Sequence, residues 1–381
     1  MTGIHDIAVI GGGVMGSTAA LFLARGGMST ALIDRGPLCR EASGVNAGTL
    51  TLHMTRAALI PYAIRGWEMW QAAEDWLGRG VAARAVEGLS LAFTEAEEDL
   101  LVQRARVRQA EGAPIELVDP VRAREIEPGL NPAVRRAAWC RIDGFASAYL
   151  TGRAYRHALV DAGADVREGA TVKGIDRTGR GFTVRMEGGE TLAARRVVLA
   201  GGVWLERMLG WLGVHIPVKC LVNQLVVTER IEPVMRTVLS IANGLLSLKQ
   251  FDNGTVLIGG GWQGIGDPDM GGREAIPENL VGNIRLACHV IPALRATRMA
   301  RVWLGLEAET ADALPLLGDV PGVPGAYVIG SVHSGYTSGP WMGRLLAQHI
   351  LGAAPEMGLF DPARLLDQTP AGQETGEAIP L

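Results

Sequence analysis

Length, composition and charge limit what this chain can be. Its 381 residues suffice for one large α/β domain or for two domains that share a core. With 36 Lys and Arg against 40 Asp and Glu, its formal net charge of -4 argues against a nucleic-acid-binding protein, which is usually basic. No apolar run approaches the roughly eighteen residues of a membrane-spanning helix, so we expect a protein that is not embedded in a membrane.

The cysteines are scattered along the chain and form no C-x-x-C pair. We therefore expect no metal site, whether zinc or iron–sulfur, made by this chain alone. Unpaired cysteines are typical of a reducing compartment, so the sequence predicts a cytoplasmic protein.

The first elements have the order of a doubly wound βαβ unit. A short apolar run covers Ile7 to Ile10, and a helical pattern covers Val14 to Arg25 after three glycines. A second apolar run, Thr30 to Ile33, ends at Asp34. Strand, glycine turn, helix and strand in this order predict a Rossmann-like unit.

Residues 11–16 read G-G-G-V-M-G and match the pattern G-x-G-x-x-G. In this pattern Gly11 permits a tight turn, Gly13 lets the backbone approach a pyrophosphate, and Gly16 allows the helix to pack closely on the strand. Asp34 follows about twenty residues later, where a carboxylate binds ribose hydroxyls. The motif predicts a bound dinucleotide and does not distinguish FAD from NAD.

The remaining elements are predicted from apolar periodicity and turn residues. The turn Asp252-Asn253-Gly254 separates two strand-like runs and predicts a hairpin. Predicted helices cover residues 57–76, 95–111, 148–162 and 340–351. Predicted strands cover residues 89–93, 165–166, 171–175, 182–186, 191–199, 221–228, 244–249, 255–258 and 327–329.

Residues 39–51 read CREASGVNAGTLT and resemble the segment after the second strand in the D-amino-acid oxidase superfamily of flavoproteins. Further resemblances lie at residues 124–130 (REIEPGL), 200–204 (AGGVW), 310–318 (TADALPLLG) and 330–340 (GSVHSGYTSGP). Asp143-Gly144, Thr171-Val172 and Gln224 also fall at landmarks of this family. The sequence looks most similar to the β subunits of opine oxidase, hydrogen cyanide synthase and hydroxyproline dehydrogenase.

The resemblance implies FAD as the cofactor. FAD is expected to be non-covalent, because the position of the flavin-linking Cys of monomeric sarcosine oxidase-like members corresponds to about Gly305. The helix after residue 340 is expected to point its N-terminus at the flavin and stabilise charge on it. The residues implied in binding FAD are Gly11, Gly13, Val14, Met15, Gly16, Asp34, Arg35, Ser43, Asn46, Ala47, Gly48, Leu50, Val172, Ala200, Gly201, Trp204, Gly330, His333, Ser334, Gly335, Tyr336 and Thr337.

The expected fold class is α/β of the mixed α+β kind, with two interleaved domains. A Rossmann-like FAD-binding domain is expected to comprise residues 1–86, 145–216 and 305–366. A substrate domain with a mixed β-sheet is expected to comprise residues 87–144 and 217–304. Residues 367–381, rich in Gln, Thr, Pro, Gly and Glu, are expected to form a mobile tail.

The sequence departs from the family at Glu307, where many relatives have the Arg that binds the substrate carboxylate. One hypothesis is that Glu307 recognises a cationic group of the substrate, and the other is that it pairs with a local arginine such as Arg301. Two histidines, His53 and His333, lie near segments expected to face the flavin. Glu307, His53 and His333 are the candidate catalytic residues.

The resemblance implies oxidation of a C–N bond in a small amine, such as an opine, an imino acid, a D-amino acid or an N-methyl amino acid. The catalytic subunit of an amine dehydrogenase would pass electrons to partner chains, and any FMN or iron–sulfur cluster would belong to those partners. The alternatives are a self-sufficient oxidase that makes hydrogen peroxide and a flavin-bearing structural subunit without turnover. An NAD-dependent dehydrogenase is a further alternative.

Overall fold

The computed structural model describes residues 3–269 and 273–366, so the predicted tail 367–381 lies outside the described residues. No helix within these two ranges is long and apolar enough to cross a bilayer. The α-helices are α1 (Val14–Arg25), α2 (Ile60–Gln71), α3 (Ala73–Leu77), α4 (Glu95–Ala110), α5 (Pro120–Ile126), α6 (Ala148–Asp161), α7 (Leu205–Gly210), α8 (Pro277–Val290) and α9 (Gly335–Ile350).

The strands are short and belong mostly to two large sheets. Their bounds are β1 (His5–Ile10), β2 (Thr30–Ile33), β3 (Thr49–Leu50), β4 (Arg84–Ala85), β5 (Gly88–Ala92), β6 (Ile115–Val118), β7 (Arg136–Cys140), β8 (Gly144–Phe145), β9 (Asp165–Arg167), β10 (Val172–Thr178), β11 (Gly181–Met186), β12 (Thr191–Leu199), β13 (Lys219–Thr228), β14 (Val238–Ile241), β15 (Ser247–Gln250), β16 (Val256–Gly259), β17 (Ile265–Gly266), β18 (Arg273–Glu274), β19 (Met299–Glu309), β20 (Leu316–Asp319) and β21 (Ala326–Gly330).

The first sheet runs in the order β10-β11-β12-β1-β2-β9, with β21 pairing with β12 and β20 pairing with β21. The pairs β12–β1, β1–β2, β2–β9 and β12–β21 are parallel. Residues 7–10 of β1 and all of β2 are buried, as expected for strands covered on both faces. Because the strands are parallel, the loops that follow β1, β2, β12 and β21 meet at one edge of the sheet.

The second sheet runs in the order β19-β13-β16-β15-β14-β5-β7-β6 and is mostly antiparallel. The predicted hairpin is confirmed, since β15 and β16 pair antiparallel around Asp252-Asn253-Gly254. Gly254 adopts a φ of +86°, which explains the glycine at this turn. The first sheet takes its strands from residues 5–33, 165–199 and 316–330, and the second from residues 88–140 and 219–309. Strand β19 spans the domain boundary expected at residue 305.

Helix α4 shows how local sequence sets an element. Thr94 accepts a hydrogen bond from the backbone N–H of Glu97, and the Glu97 side chain accepts in turn from the backbone of Thr94. This capping box satisfies donors that the first helical turn leaves free. The helix predicted at residues 95–111 is therefore confirmed to within a residue.

Helix α9 begins at Gly335, five residues before the start predicted at Pro340, so that prediction was wrong. A proline inside a helix lacks the N–H that would bond to the carbonyl four residues earlier, here Tyr336. The indole of Trp70 donates to this carbonyl at 2.8 Å instead. The Trp70 ring also stacks on the Tyr336 ring, with centroids 4.8 Å apart.

Replacing Trp70 by Phe is expected to lower the free energy of unfolding more than replacing Trp67 by Phe. The first change leaves the buried carbonyl of Tyr336 without a donor, a loss of about 1–3 kcal/mol beyond packing. Trp67 is the matched control, because its indole N–H has no hydrogen-bond partner among the described residues. Urea unfolding of both variants measures the difference, and equal losses would contradict this role for Trp70.

Candidate active site

A cavity of about 810 Å³ lies where the loops of the first sheet meet the face of the second sheet. Its volume lies in the range of cofactor and ligand pockets, roughly 300–1,000 Å³. The residues implied by sequence that line it are Gly11, Gly13, Val14, Met15, Gly16, Asp34, Arg35, Ser43, Asn46, Ala47, Val172, Ala200, Gly201, Trp204, Glu307, Gly330, His333, Ser334, Gly335, Tyr336 and Thr337.

The glycine loop forms one end of the cavity. Gly11 has a φ of +111°, and a Cβ there would lie 2.3 Å from the carbonyl oxygen of Ala200. A Cβ at Gly16 would lie 2.1 Å from the carbonyl oxygen of Gly11, so α1 packs directly on the loop. Gly13 differs, because the atom nearest to its added Cβ is the Ser43 hydroxyl oxygen at 3.3 Å.

The start of α1 has the features of an anion site. Its first turn holds no acidic side chain, and Gly13 provides no side-chain cap. Ser43 accepts a hydrogen bond from the backbone N–H of Val14 at 3.1 Å. The positive end of α1 therefore faces the cavity, as a pyrophosphate requires.

Asp34 is held by the glycine loop. Its two carboxylate oxygens accept from the backbone N–H of Gly12 at 2.7 Å and of Gly36 at 2.8 Å. Burial raises the pKa of Asp34, although both of these hydrogen bonds oppose the rise. Beside it, the Arg35 guanidinium lies 3.8 Å from the centre of the Trp204 ring.

Three of the residues implied by sequence do not line this cavity. Gly48 has a φ of +69°, and its Cβ position lies 2.1 Å from the carbonyl oxygen of Ala146, so it serves the turn. Leu50 is fully buried in the core. His53 is also buried and faces a separate cavity of about 10 Å³, with Nε2 3.4 Å from the carbonyl oxygen of Gly88. Burial lowers the pKa of His53.

Glu307 and His333 form a hydrogen-bonded pair in the cavity wall. Glu307 Oε1 accepts from His333 Nδ1 at 2.5 Å, and its other oxygen accepts from the side-chain amide of Asn223. Burial opposes ionisation of Glu307, but His333 and Asn223 outweigh it and hold the pKa of Glu307 below its ordinary value. The charge of Glu307 raises the pKa of His333 against the effect of burial.

The arginine proposed as a partner of Glu307 lies elsewhere, since the guanidinium of Arg301 stacks over Trp303 at 5.2 Å. Another arginine, Arg56, pairs with Glu309 at 3.1 Å, and its charge helps to lower the pKa of Glu307. The sequence offered no signal for Arg56, because 253 residues separate it from Glu309.

The start of α9 forms another part of the wall. Gly335, Tyr336 and Thr337, the first residues of this helix, all line the cavity. The hydroxyl of Thr337 donates to the carbonyl oxygen of Thr49 at 3.2 Å. The positive end of a second helix thus faces the cavity.

Two amides of β13 were not predicted as site residues. Asn223 lies opposite Gly305 in β19, which places its side chain on the same sheet face as Glu307. Gln224 also lines the cavity, is 1% exposed, and has no hydrogen-bond partner for either amide atom among the described residues. Side chains of a strand alternate between the two faces of its sheet. This alternation shows that Asn223 lies on the face of Glu307 only once the pairing of β13 with β19 is known.

The fold and the cavity define a dinucleotide-binding oxidoreductase: a glycine loop and a half-buried acid lie at one end, and a carboxylate of the second sheet pairs with an imidazole from the loop after β21. FAD fits these residues, because the start of α1, which has no acidic side chain in its first turn, suits its pyrophosphate and Asp34 suits its ribose. The model of the FAD-dependent oxidoreductase family matches residues 6–349, and the chain belongs to this family. It is therefore an FAD-dependent oxidoreductase.

Relatives of known name match nearly the whole chain. A subunit of the opine oxidase of Rhizobium meliloti is 29% identical over 363 residues, which cover 92% of this chain and 93% of the relative. Glycine oxidase of Geobacillus kaustophilus is 29% identical over 359 residues, covering 92% and 94%. The crystal structure of glycine oxidase from Geobacillus kaustophilus superposes with a TM-score of 0.86 at 25% identity, covering 97% of this chain and 100% of that one.

The crystal structure of L-proline dehydrogenase from P. horikoshii shows the same fold, with a TM-score of 0.87 at 23% identity, covering 96% of this chain and 98% of that one.

Within residues 3–269 and 273–366, no group of three or more His, Cys, Asp or Glu side chains is placed to hold a metal ion.

Proposed function

We propose that this chain oxidises a C–N bond of a small amino-acid-like amine, with His333 as the group that accepts the substrate's ammonium proton. The observation that carries the proposal is the hydrogen-bonded Glu307–His333 pair in the wall of the cavity that fits FAD. The opine oxidase and glycine oxidase chains among the relatives support an amine substrate.

The geometry leaves one nitrogen of His333 available. Nδ1 is bonded to Glu307, and the side chain remains 34% exposed toward the cavity, so Nε2 is the atom that can meet a substrate. An alkylammonium has a pKa of about 10, and a higher imidazole pKa makes proton transfer to His333 less unfavourable. Glu307 therefore both orients the ring and strengthens it as a base.

Bound FAD supplies the acceptor for the hydride that leaves the substrate carbon. Among the chain's own residues, the Asn223 amide helps to keep Glu307 ionised, and Glu307 holds the His333 ring in the cavity wall, where it can meet the amine. Both oxygens of Glu307 already accept hydrogen bonds, which supports a positioning role rather than direct contact with a substrate cation.

Replacing Glu307 by Gln is expected to move the acid limb of the rate of substrate-driven flavin reduction to lower pH. The carboxylate raises the pKa of His333, so its removal lets His333 lose its proton at lower pH. Stopped-flow measurement of flavin reduction under anaerobic conditions, repeated across acid and neutral pH, gives the limb. The control is Glu309→Gln, which removes a carboxylate bound to Arg56 and should shift the limb less. An unmoved limb in Glu307→Gln would contradict the pairing proposed for catalysis.

Substrate-driven bleaching of the flavin band tests the reaction class. Anaerobic addition of opines, imino acids, D-amino acids and N-methyl glycine should identify at least one compound that bleaches the holoenzyme. Absence of bleaching by every member would favour the alternative of a flavin-bearing structural subunit.

We also propose that the electrons pass to a partner chain. Relatives named as subunits include two of opine oxidase and one, HcnC, of hydrogen cyanide synthase, and these names support this route. Any FMN or iron–sulfur cluster would then belong to the partner, and the assembly would be cytoplasmic. Slow recolouring on readmission of air would agree, whereas fast recolouring with hydrogen peroxide would establish a self-sufficient oxidase.

We propose that FAD is held without a covalent bond. Of the cysteines, Cys39 lines the cavity, and it lies at the glycine-loop end. Burial raises the pKa of its thiol far above the ordinary value, so the nucleophilic thiolate is suppressed. Acid precipitation should release the yellow colour into solution, and a yellow pellet would disprove non-covalent binding.

A further inference from the structure

Lys249 is a buried cation that the proposed reaction has not used. It lies in β15 with 1% of its surface exposed. The hydroxyl of Thr49 is the hydrogen-bond acceptor that its ammonium contacts. Burial alone lowers the pKa of Lys249 to about 7, without a contribution from any carboxylate.

Lys249 stands directly behind the cavity wall. Successive side chains of a strand alternate between its faces, so Lys249 shares a face with Ser247, which lines the cavity. Thr49, its hydrogen-bond partner, lines the cavity as well. The backbone of Thr49 in turn accepts from Thr337 at the start of α9. One hydroxyl group therefore separates the Lys249 ammonium from the space that fits the cofactor.

The charged side chains on the elements around Lys249 bind partners other than Lys249. The Phe251 ring lies 6.0 Å from Lys249 Nζ and packs on the Phe145 ring. Beyond Phe145, Arg84 and Asp252 pair with each other at 2.8 Å near the surface. Asp143 accepts from Thr51 and from the backbone N–H of Leu52. No described carboxylate therefore compensates a charge on Lys249.

A buried charge without a partner is unfavourable, and a buried lysine relieves it by losing its proton. Negative charge arriving in the adjacent cavity would reverse this preference. We propose that Lys249 takes up one proton from solvent when the bound FAD accepts two electrons and one proton, so that the new ammonium balances the added negative charge. Lys249 is then a positioning residue that acts through Thr49 and raises the affinity of the cofactor for electrons.

This inference rests on the proposed function in one respect, that FAD fills the cavity; it does not require an amine substrate. The midpoint potential of the holoenzyme tests it, with electrons supplied by a reducing enzyme and a reference dye across a range of pH. For two electrons, a tenfold change in equilibrium corresponds to about 29.6 mV. Uptake of one proton therefore gives a slope of about 29.6 mV per pH unit, and uptake of two gives twice that slope.

We expect the wild-type protein to show the two-proton slope above a pH of about 7, where Lys249 is neutral before reduction, and the one-proton slope below it. Lys249→Met should show the one-proton slope throughout and a lower potential. Lys249→Arg keeps a permanent charge, so it should also show the one-proton slope, with a potential above that of the Met variant. Lys173→Met, which removes a surface partner of Glu187, is the control and should behave as wild type.

A one-proton slope in the wild-type protein, or a Met variant that titrates like wild type, would overturn the proposal. If Lys249→Met fails to fold or to hold FAD, the wild-type slope and the Arg variant decide the question. Because the electrons come from the reducing enzyme and not from an amine, failure to find an amine substrate would refute the proposed function and leave this result intact.

Discussion

Replacing His333 by Asn is expected to slow reduction of the flavin by substrate about 10²–10⁴-fold, the usual contribution of a general base. Nε2 of His333 is the nitrogen that Glu307 leaves free, and it is the proposed acceptor of the ammonium proton. Asn keeps a polar side chain of similar reach at Nδ1 but cannot accept a proton at neutral pH. The measurement is the anaerobic rate of flavin reduction at saturating substrate.

The loss should shrink as pH rises, because a larger fraction of the substrate amine is then already neutral. His53→Asn is the matched control, since His53 faces a separate small cavity and should leave the rate within a few-fold of wild type. A His333 variant that reduces its flavin as fast as wild type at neutral pH would remove His333 from the proposed mechanism.

Replacing Gly13 by Ala is expected to weaken FAD binding at least about tenfold, or about 1.4 kcal/mol, while the protein still folds. Gly13 has a φ of -69°, which alanine adopts freely, and an added Cβ meets nothing closer than the Ser43 hydroxyl at 3.3 Å. The methyl group would instead occupy the space at the start of α1 that suits the pyrophosphate.

Titration of apoprotein with FAD, read by quenching of flavin fluorescence, gives the affinity, and thermal unfolding of the apoprotein reports the fold. Gly210→Ala is the control, because Gly210 lies outside the cavity wall and its Cβ position has no neighbour within 4 Å. Gly16→Ala is expected instead to lower the thermal stability of the apoprotein, because its Cβ would lie 2.1 Å from a backbone oxygen. Unchanged FAD affinity in Gly13→Ala would place the pyrophosphate elsewhere.

At position 307, where the resemblance implies an arginine in many relatives, this chain has a glutamate. A carboxylate there cannot hold a substrate carboxylate, since like charges repel. In the structure it instead supports His333 and is itself held by Asn223. The charge of Glu307 could mean that the pocket does not turn over a substrate, or that Glu307 assists His333 as a proton acceptor. The His333 and Glu307 variants distinguish these two possibilities.

Features governed by neighbours in sequence were predictable. The glycine loop, the α4 capping box and the Asp252-Asn253-Gly254 turn each depend on backbone conformations and hydrogen bonds within a few residues. Their residue types carry that information locally, and a family resemblance added the identity of the cofactor.

Features governed by distant partners were not predictable. The sequence predicted a helix that starts at Pro340, since a proline is unfavourable inside a helix. Only the fold brings the Trp70 indole to the carbonyl that the proline leaves without a donor. His53 and His333 were both candidates in the sequence. The position of β19 beside the loop after β21 decided that His333 meets Glu307, and pairing of β13 with β19 brought Asn223 to the same carboxylate. Nothing in the sequence indicated a role for Lys249, since its environment depends on Thr49, which is 200 residues away in the chain. Side-chain charge and burial are properties of the assembled surroundings, and they emerge only when strands far apart in sequence come together.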